Sequence, residues 1–401
     1  MPPSNAPRAL LVGVSFGSAA PGEGSLDEID ALALSAGLNP VGRLAVRRAR
    51  QDPALCLGSG KADEIGGMIR EQSIDCVVFD TPLSPVQQRN LNRLWEVAVV
   101  ERTELILSIF AQRARSNEGK LQVELARIEH QLTRLVRGWS HLERQRGGIG
   151  QRGGPGEKQI ELDRRMLDVR ARQLRVRLEK LERQRRTRRR ARQRRSAFTV
   201  SLVGYTNAGK STLFNALTGA ATYEADKLFA TLDTLSRRLR LPGGEQIVIS
   251  DTVGFVRDLP HQLVDAFRAT LDETADADLL VHVVDASSPE RDAQIEEVDR
   301  VLAEIGADTV PTLVVLNKID LLGLPAEAHR SPCGTIDRLL ASARTGEGVE
   351  ALREALGERA AAARRVAGRG AQDDTSIVTD ESASDDPRGG ARDASRARAI
   401  A

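Results

Sequence analysis

Cysteine is nearly absent: Cys56, Cys76 and Cys333 are the only three in 401 residues, and no two stand at ligand spacing. That argues against a disulfide framework and against a thiolate zinc site. No apolar run approaches the ~20 residues of a membrane helix, and the first residues lack the charged-then-apolar layout of a signal peptide. The expectation is a soluble, cytoplasmic protein without a membrane span, acting as a monomer; peripheral association with a membrane stays open. Aromatic residues are scarce at 3%, yet a hydrophobic content of 41% suffices for real cores. A formal net charge of +2 conceals strong clustering of arginine. At 401 residues the chain exceeds one ordinary domain, and two or three are expected.

What is present first is alternation. Apolar runs at 9–16, 41–49, 75–79 and 97–100 read as strands, and 26–38, 62–73 and 85–95 show helical spacing. This implies a parallel α/β domain over 1–113. Within it, Gly58, Ser59, Gly60 and Lys61 echo a phosphate loop. The match fails, because Leu55 stands where the first glycine belongs and Ala62 where Ser or Thr belongs. A loop leading into a helix is the better reading.

The chemistry lies farther on. Gly204, Tyr205, Thr206, Asn207, Ala208, Gly209, Lys210 and Ser211 spell G-x-x-x-x-G-K-S between an apolar run at 198–203 and a helical stretch at 212–217. Glycines at those positions let backbone N–H groups turn inward around phosphates, the lysine supplies a cation, and the serine hydroxyl suits Mg²⁺. The helix that follows, from Thr212, adds the partial positive charge of its N-terminus.

A strand at 246–250 is followed by Asp251, Thr252, Val253 and Gly254. An acidic residue at a strand end can hold a metal-bound water, and a glycine N–H three residues later can sense a γ-phosphate. Upstream, Phe229, Ala230 and Thr231 precede a turn at 243–244, where a threonine could bring its hydroxyl to Mg²⁺. Spacing leaves Thr231 and Thr234 both open. Strands at 278–285 and 310–316 come next, the second ending in Asn317, Lys318, Ile319 and Asp320. A carboxylate there can accept two hydrogen bonds from guanine, and adenine offers no such donor pair. Lys318 can cover the base with its stem, Asn317 can brace the loop, and Ser342 and Ala343 can offer N–H groups to the guanine carbonyl. These elements in this order imply a guanine-nucleotide domain over 196–366 with a doubly wound sheet. Phe255 occupies the place where many such domains carry a water-orienting glutamine, leaving the catalytic group unknown. Asn207 could coordinate K⁺ or brace the loop, since both uses need the same oxygen.

Between these regions, apolar residues at helical spacing on both sides of 147–157 imply a helical hairpin within 114–195. Its connecting loop carries Gly147, Gly148, Gly150, Gly153 and Gly154 with Arg144, Arg146 and Arg152. Such a loop suits an anionic, backbone-rich surface such as RNA, and equally a flexible connector. Nine arginines lie between positions 183 and 195, either a nucleic-acid contact or a solvated helix face. Residues 367–401 hold few large apolar side chains and are expected to be disordered.

Together these stretches resemble the HflX family of ribosome-associated GTPases. The segment 137–150 carries the resemblance more specifically than the nucleotide motifs, and the likeness spans roughly residues 9–360. The resemblance implies GTP and GDP as ligands, Mg²⁺ as cofactor, and Thr231 as the threonine that follows the nucleotide state. It also implies that the hairpin loop reaches the 50S ribosomal subunit and its rRNA, and that the protein splits stalled or hibernating 70S ribosomes. Ribosome assembly and GTP-gated binding of a protein partner are the alternatives. Where the family commonly continues with proline and threonine after Thr-Leu-Asp, this chain has Thr234 and Leu235.

Overall fold

A computed structural model describes residues 6–17, 23–145, 155–193 and 197–376, apart from 220–227, 230, 258, 261–262, 264, 266 and 333. The order at the start is β1 (Arg8–Phe16), α1 (Glu23–Ser35), β2 (Asn39–Arg48), α2 (Ser59–Glu71), β3 (Cys76–Phe79), α3 (Pro85–Trp95), β4 (Ala98–Glu101) and α4 (Arg102–Arg113). The four strands form a parallel sheet in the order β2-β1-β3-β4. Helix α3 shows how local sequence dictates an element. Ser84 Oγ accepts from the Gln87 N–H at 3.2 Å, Gln87 Oε1 accepts from the Ser84 N–H at 2.8 Å, and Pro85 occupies the first helical turn. Helix α4 was not foreseen from periodicity. It follows β4 without a loop, and its face is almost wholly apolar and buried, which blurs the amphipathic signal.

The hairpin comprises α5 (Asn117–Gln145) and α6 (Pro155–Gln193). Its seam is built from Leu125, Ile128, Ala171 and Leu174. Ion pairs from Arg170 to Glu124 and from Arg175 to Glu129, each at 2.7 Å, flank that seam. Because α6 starts at Pro155, Gly156 and Glu157 belong to its first turn and not to the loop. The loop residues Arg146, Gly147, Gly148, Gly150, Arg152, Gly153 and Gly154 lie outside the described residues, as does the side chain of Arg144. The arginine run continues α6 as helix as far as Gln193.

The third part contains β5 (Phe198–Val203), α7 (Lys210–Thr218), β6 (Leu235–Arg240), β7 (Gln246–Asp251), α8 (Arg268–Ala275), β8 (Leu279–Asp285), α9 (Arg291–Glu304), β9 (Thr312–Asn317), β10 (Glu327–Arg330), β11 (Ile336–Leu340) and α10 (Val349–Ser376). Its sheet runs β10-β11-β9-β8-β5-β7-β6, parallel in the middle, with antiparallel pairs at both edges. Strand β5 lies inside the sheet, between β8 and β7. From β5 the chain goes first to the β6 and β7 side and then crosses to β8 on the other, so a crevice opens beyond the C-terminal end of β5. Helix α10 closes the third part and runs to Ser376, its stretch 359–365 being rich in the strong helix formers alanine and arginine. Residues 377–401 lie outside the described residues.

The first and third parts share one core, joined by the start of the hairpin. Leu11, Val78, Phe110 and Val123 pack with Leu228, Phe229, Leu232, Val253 and Val256 in a single buried cluster. Phe110 meets Phe229 edge-on at 4.6 Å and Phe267 edge-on at 5.3 Å.

Candidate functional site

Four strand ends build the site. The phosphate loop leaves β5, Asp251 closes β7, Asn317 closes β9, and Ser342 follows β11. Two glycines shape the loop. Gly204 has φ 145°, and a Cβ there would lie 2.2 Å from the Val283 carbonyl oxygen. Gly209 has φ 93°, and a Cβ there would meet Asn317 Nδ2 at 2.2 Å. The first bond of α7 runs from the Leu213 N–H to the Gly209 carbonyl at 2.9 Å. The amides of Lys210, Ser211 and Thr212 therefore precede the helical ladder and face the crevice end of the helix.

Lys210 is buried and curls back over the loop, its Nζ donating to the carbonyls of Gly204 at 3.0 Å and Tyr205 at 2.8 Å. Burial pulls its pKa down to about 8, while nearby Asp251 acts in the opposite direction. Among the described residues no carboxylate touches this cation, which two neutral carbonyls hold, and a phosphate would supply an anionic partner. Gly254 closes over the same loop: a Cβ there would lie 2.9 Å from Thr206 Cα and 3.0 Å from Lys210 Nζ.

Three oxygens converge beside the lysine. Asp251 Oδ2 accepts from Ser211 Oγ at 2.7 Å and from Thr231 Oγ1 at 2.9 Å, and those two hydroxyls are 2.8 Å apart. This geometry distinguishes Thr231 from Thr234, which spacing alone could not. The Asp251 Oδ1 and Thr206 Oγ1 atoms are buried with no hydrogen-bond partner. Burial raises the pKa of Asp251, opposed by the Ser211 hydroxyl, Lys210 and Thr231. Hard oxygen donors around a carboxylate with an orphaned oxygen fit Mg²⁺ with a nearby phosphate.

At the base end, Asn317 donates to the Ala208 carbonyl and accepts from the Ala343 N–H, both at 2.9 Å. Asp320 Oδ1 accepts from Ser342 Oγ at 2.7 Å. Lys318, at φ 67°, pairs with Asp285 at 2.7 Å, which holds its stem along the crevice. The expected N–H donors to a guanine carbonyl are engaged elsewhere in this structure. Ala343 N–H is on Asn317, and Ser342 N–H bonds the Glu347 carbonyl at 2.9 Å. A short loop stapled at both ends satisfies its own amides first.

Other expected residues fall outside the pocket or at its rim. Phe255 is 1% exposed and packs among Val203, Leu280 and Val298, so its ring is part of the core. Thr252 Oγ1 donates back to the Leu202 carbonyl at 2.6 Å, and Val253 joins the shared core. Asn207 is exposed at φ 61°, with no hydrogen bond shown to any described residue. Phe229, at φ 55°, is buried, and Ala230 lies outside the described residues.

One network was not legible in the sequence. The Tyr205 hydroxyl of the phosphate loop donates to Glu28 of α1, and burial together with that carboxylate pushes its pKa upward. The same hydroxyl accepts from the Arg257 N–H at 2.7 Å. Buried Arg102 joins Glu28 at 2.7 Å and Asp80 at 2.9 Å, and Arg257 reaches Asp80 at 3.1 Å. Tyr205 and Glu28 stand 177 positions apart, so no local spacing marks the pair.

Comparison with known proteins decides the family. Family models described as "GTP-binding GTPase N-terminal", "GTP-binding GTPase Middle Region" and "50S ribosome-binding GTPase" match residues 23–111, 113–192 and 199–318. The protein named GTPase HflX of Escherichia coli (strain K12) is 50% identical over 335 residues, covering 83% of this chain and 78% of that one. The chain belongs to the HflX GTPase family. It binds guanine nucleotide and hydrolyses GTP. The GTPase HflX of Magnetococcus marinus is likewise 50% identical, over 82% of this chain and 76% of its own. A GTP-binding protein from Sulfolobus solfataricus, solved with GDP, aligns with this HflX-family chain over 88% of its length and 99% of the archaeal chain, at 24% identity and a TM-score of 0.47. No described helix is long and apolar enough to cross a membrane.

Proposed function

We propose that this HflX-family GTPase acts in the cytoplasm on the large ribosomal subunit, docks through its helical hairpin and splits stalled or hibernating ribosomes. On this reading the chain divides near residues 113, 195 and 366, and the glycine-rich loop meets rRNA. Lys210 and the amides of the phosphate loop bind the phosphates, and Asp320 with Lys318 selects guanine. Ser211, Thr231 and Asp251 hold Mg²⁺, Asp251 through a water. Bound there, Mg²⁺ would supply positive charge against the phosphates. Asn207 is the ligand through which K⁺ would add to that charge.

The observation that carries the ribosomal reading is Phe255. Its ring is packed in the core, and the protein thus lacks a glutamine at the place where a hydrolytic water is commonly oriented. A surface that completes the site from outside explains the gap, and the arginine-rich hairpin suits an RNA surface. GTPase assays and co-sedimentation with purified 50S subunits test it. Hydrolysis should rise severalfold with subunits, and binding should be stronger with a non-hydrolysable GTP analogue than with GDP. Equal hydrolysis rates with and without subunits would sink the ribosome-coupled mechanism.

One observation favours a protein partner instead. Leu162, Met166, Val169 and Val176 are half-exposed or more along one side of α6. Docking through that row should tolerate salt, whereas rRNA contact weakens steeply as salt rises.

A further inference from the structure

The segment that brings Thr231 to the pocket is anchored outside the nucleotide domain. Two residues beyond Thr231, Asp233 accepts on one carboxylate oxygen from the N–H groups of Arg115 at 3.0 Å and Ser116 at 2.8 Å. Its other oxygen accepts from the Ser116 hydroxyl. Ser116 is in turn the residue that starts α5. Its hydroxyl oxygen accepts from the Gly119 N–H at 2.8 Å, and its carbonyl from the Lys120 N–H at 3.1 Å. The carboxylate and the serine thus cap the first turn of the hairpin together, at the end where the helix dipole favours negative charge.

The approach is close enough that a side chain at position 119 would have to push the carboxylate aside. A Cβ on Gly119 would lie 2.6 Å from Asp233 Oδ1 and 3.0 Å from Ser116 Oγ. The rest of the segment is held from the same side. The Leu228 N–H donates to Ser35 Oγ at 2.9 Å, and Phe229 and Leu232 are buried in the shared core. Thr231 is therefore suspended between a nucleotide pocket and a helix cap, with one residue separating each grip from the other.

We propose that Asp233 is a positioning residue for GTP hydrolysis, coupling the placement of Thr231 to the capping of α5. Only two peptide links, at most about 7 Å of chain, lie between the two grips, so a shift of Thr231 on loss of the γ-phosphate is passed on to Asp233. Making or breaking the cap then tells the base of the hairpin which nucleotide is bound. That the hairpin carries this signal to a ribosomal subunit rests on the function proposed above; the coupling inside the protein does not.

Two variants test it, with binding and hydrogen exchange as readouts. Asp233→Ala removes the acceptor. Gly119→Ala leaves Asp233 in the sequence and crowds it from the cap with one methyl, while substituting the better helix former. Both should lower the preference for a non-hydrolysable GTP analogue over GDP by about tenfold, leave GDP affinity unchanged, and raise the Mg²⁺ concentration needed for hydrolysis. In the wild-type protein the amides of residues 117–120 should exchange at different rates with the analogue and with GDP, and in both variants that difference should vanish. A wild-type analogue-to-GDP preference in Gly119→Ala overturns the proposal, as does exchange at 117–120 that ignores the nucleotide in the wild type. Gly119→Ala carries the test by itself should Asp233→Ala fold poorly. Failure of the wild type to sediment with 50S subunits in either nucleotide state counts against the ribosomal reading alone, because the other readouts use the isolated protein.

Discussion

Two loops in this molecule join a glycine pair to a lysine at the start of a helix, and only one makes a phosphate site. At 58–61, Gly58 caps α2 in an extended conformation and Lys61 turns outward to Glu64, with Nζ 2.8 and 2.9 Å from its two carboxylate oxygens. A Cβ on Gly58 would meet the Arg48 guanidinium at 2.8 Å, so an arginine side chain fills the space beside that loop. At 204–210 the chain folds back on itself, and its lysine is buried against the loop's carbonyls with no carboxylate of a described residue in contact. The difference lies in the spacing. Four residues between the glycines at 204 and 209 let the loop curve around an anion, whereas one residue separates Gly58 from Gly60. A lysine already neutralised by a neighbouring glutamate has little left for a phosphate.

The largest expected effect sharpens that contrast directly. Lys210→Ala should cost about 3–5 kcal/mol of GTP binding, as for a buried charge partner lost from an interface, while Lys61→Ala leaves affinity unchanged; titration calorimetry on both proteins checks the pair. At the base end, Asp320→Asn exchanges an acceptor pair for a donor and an acceptor. Guanine should be disfavoured by about 2–4 kcal/mol and xanthine gain in its place, measured by competition between GTP and XTP. A variant that still prefers GTP removes Asp320 from base recognition.

The phosphate loop leans on the first domain through Tyr205, and the 58–61 loop has no such support from the nucleotide domain. Tyr205→Phe deprives partly buried Glu28 and the Arg257 N–H of a partner and should destabilise the protein by about 1–3 kcal/mol in urea unfolding. The smallest effect concerns protons. With the free Lys210 pKa at about 8, part of the population is neutral just above that pH. Binding a phosphate favours the charged form, so nucleotide binding should take up a proton from about pH 8 upward. Affinity should then fall as pH rises, by at most about tenfold per unit. Calorimetry in buffers of different ionisation heat would reveal the uptake, and Lys210→Arg should abolish it.

Legibility differed by region for physical reasons. Strands β1, β3 and β5 are short apolar runs bounded by polar turns, and α3 carries its own capping residues, so neighbours in sequence specify them. Helix α4 escaped because a helix buried on most sides loses its period. At the site, the glycines, Lys210, Ser211, Asp251 and Asn317 were readable because phosphate and guanine chemistry demand those residue types at those intervals. The choice of Thr231 over Thr234 needed the distances to Ser211 and Asp251. Asp233 had no visible role, since its partners Arg115 and Ser116 stand more than a hundred positions away.

The chain by itself determined a guanine-nucleotide domain joined to a second α/β domain and a helical hairpin, because phosphate loops, strand alternation and helical periodicity are properties of neighbouring residues. The tertiary structure decided how these parts are joined. Only in three dimensions does Glu28 meet the tyrosine of the phosphate loop, Phe110 meet Phe229, and Asp233 cap the hairpin. Such contacts depend on which surfaces the folded domains bury against each other, and no interval along the chain encodes that.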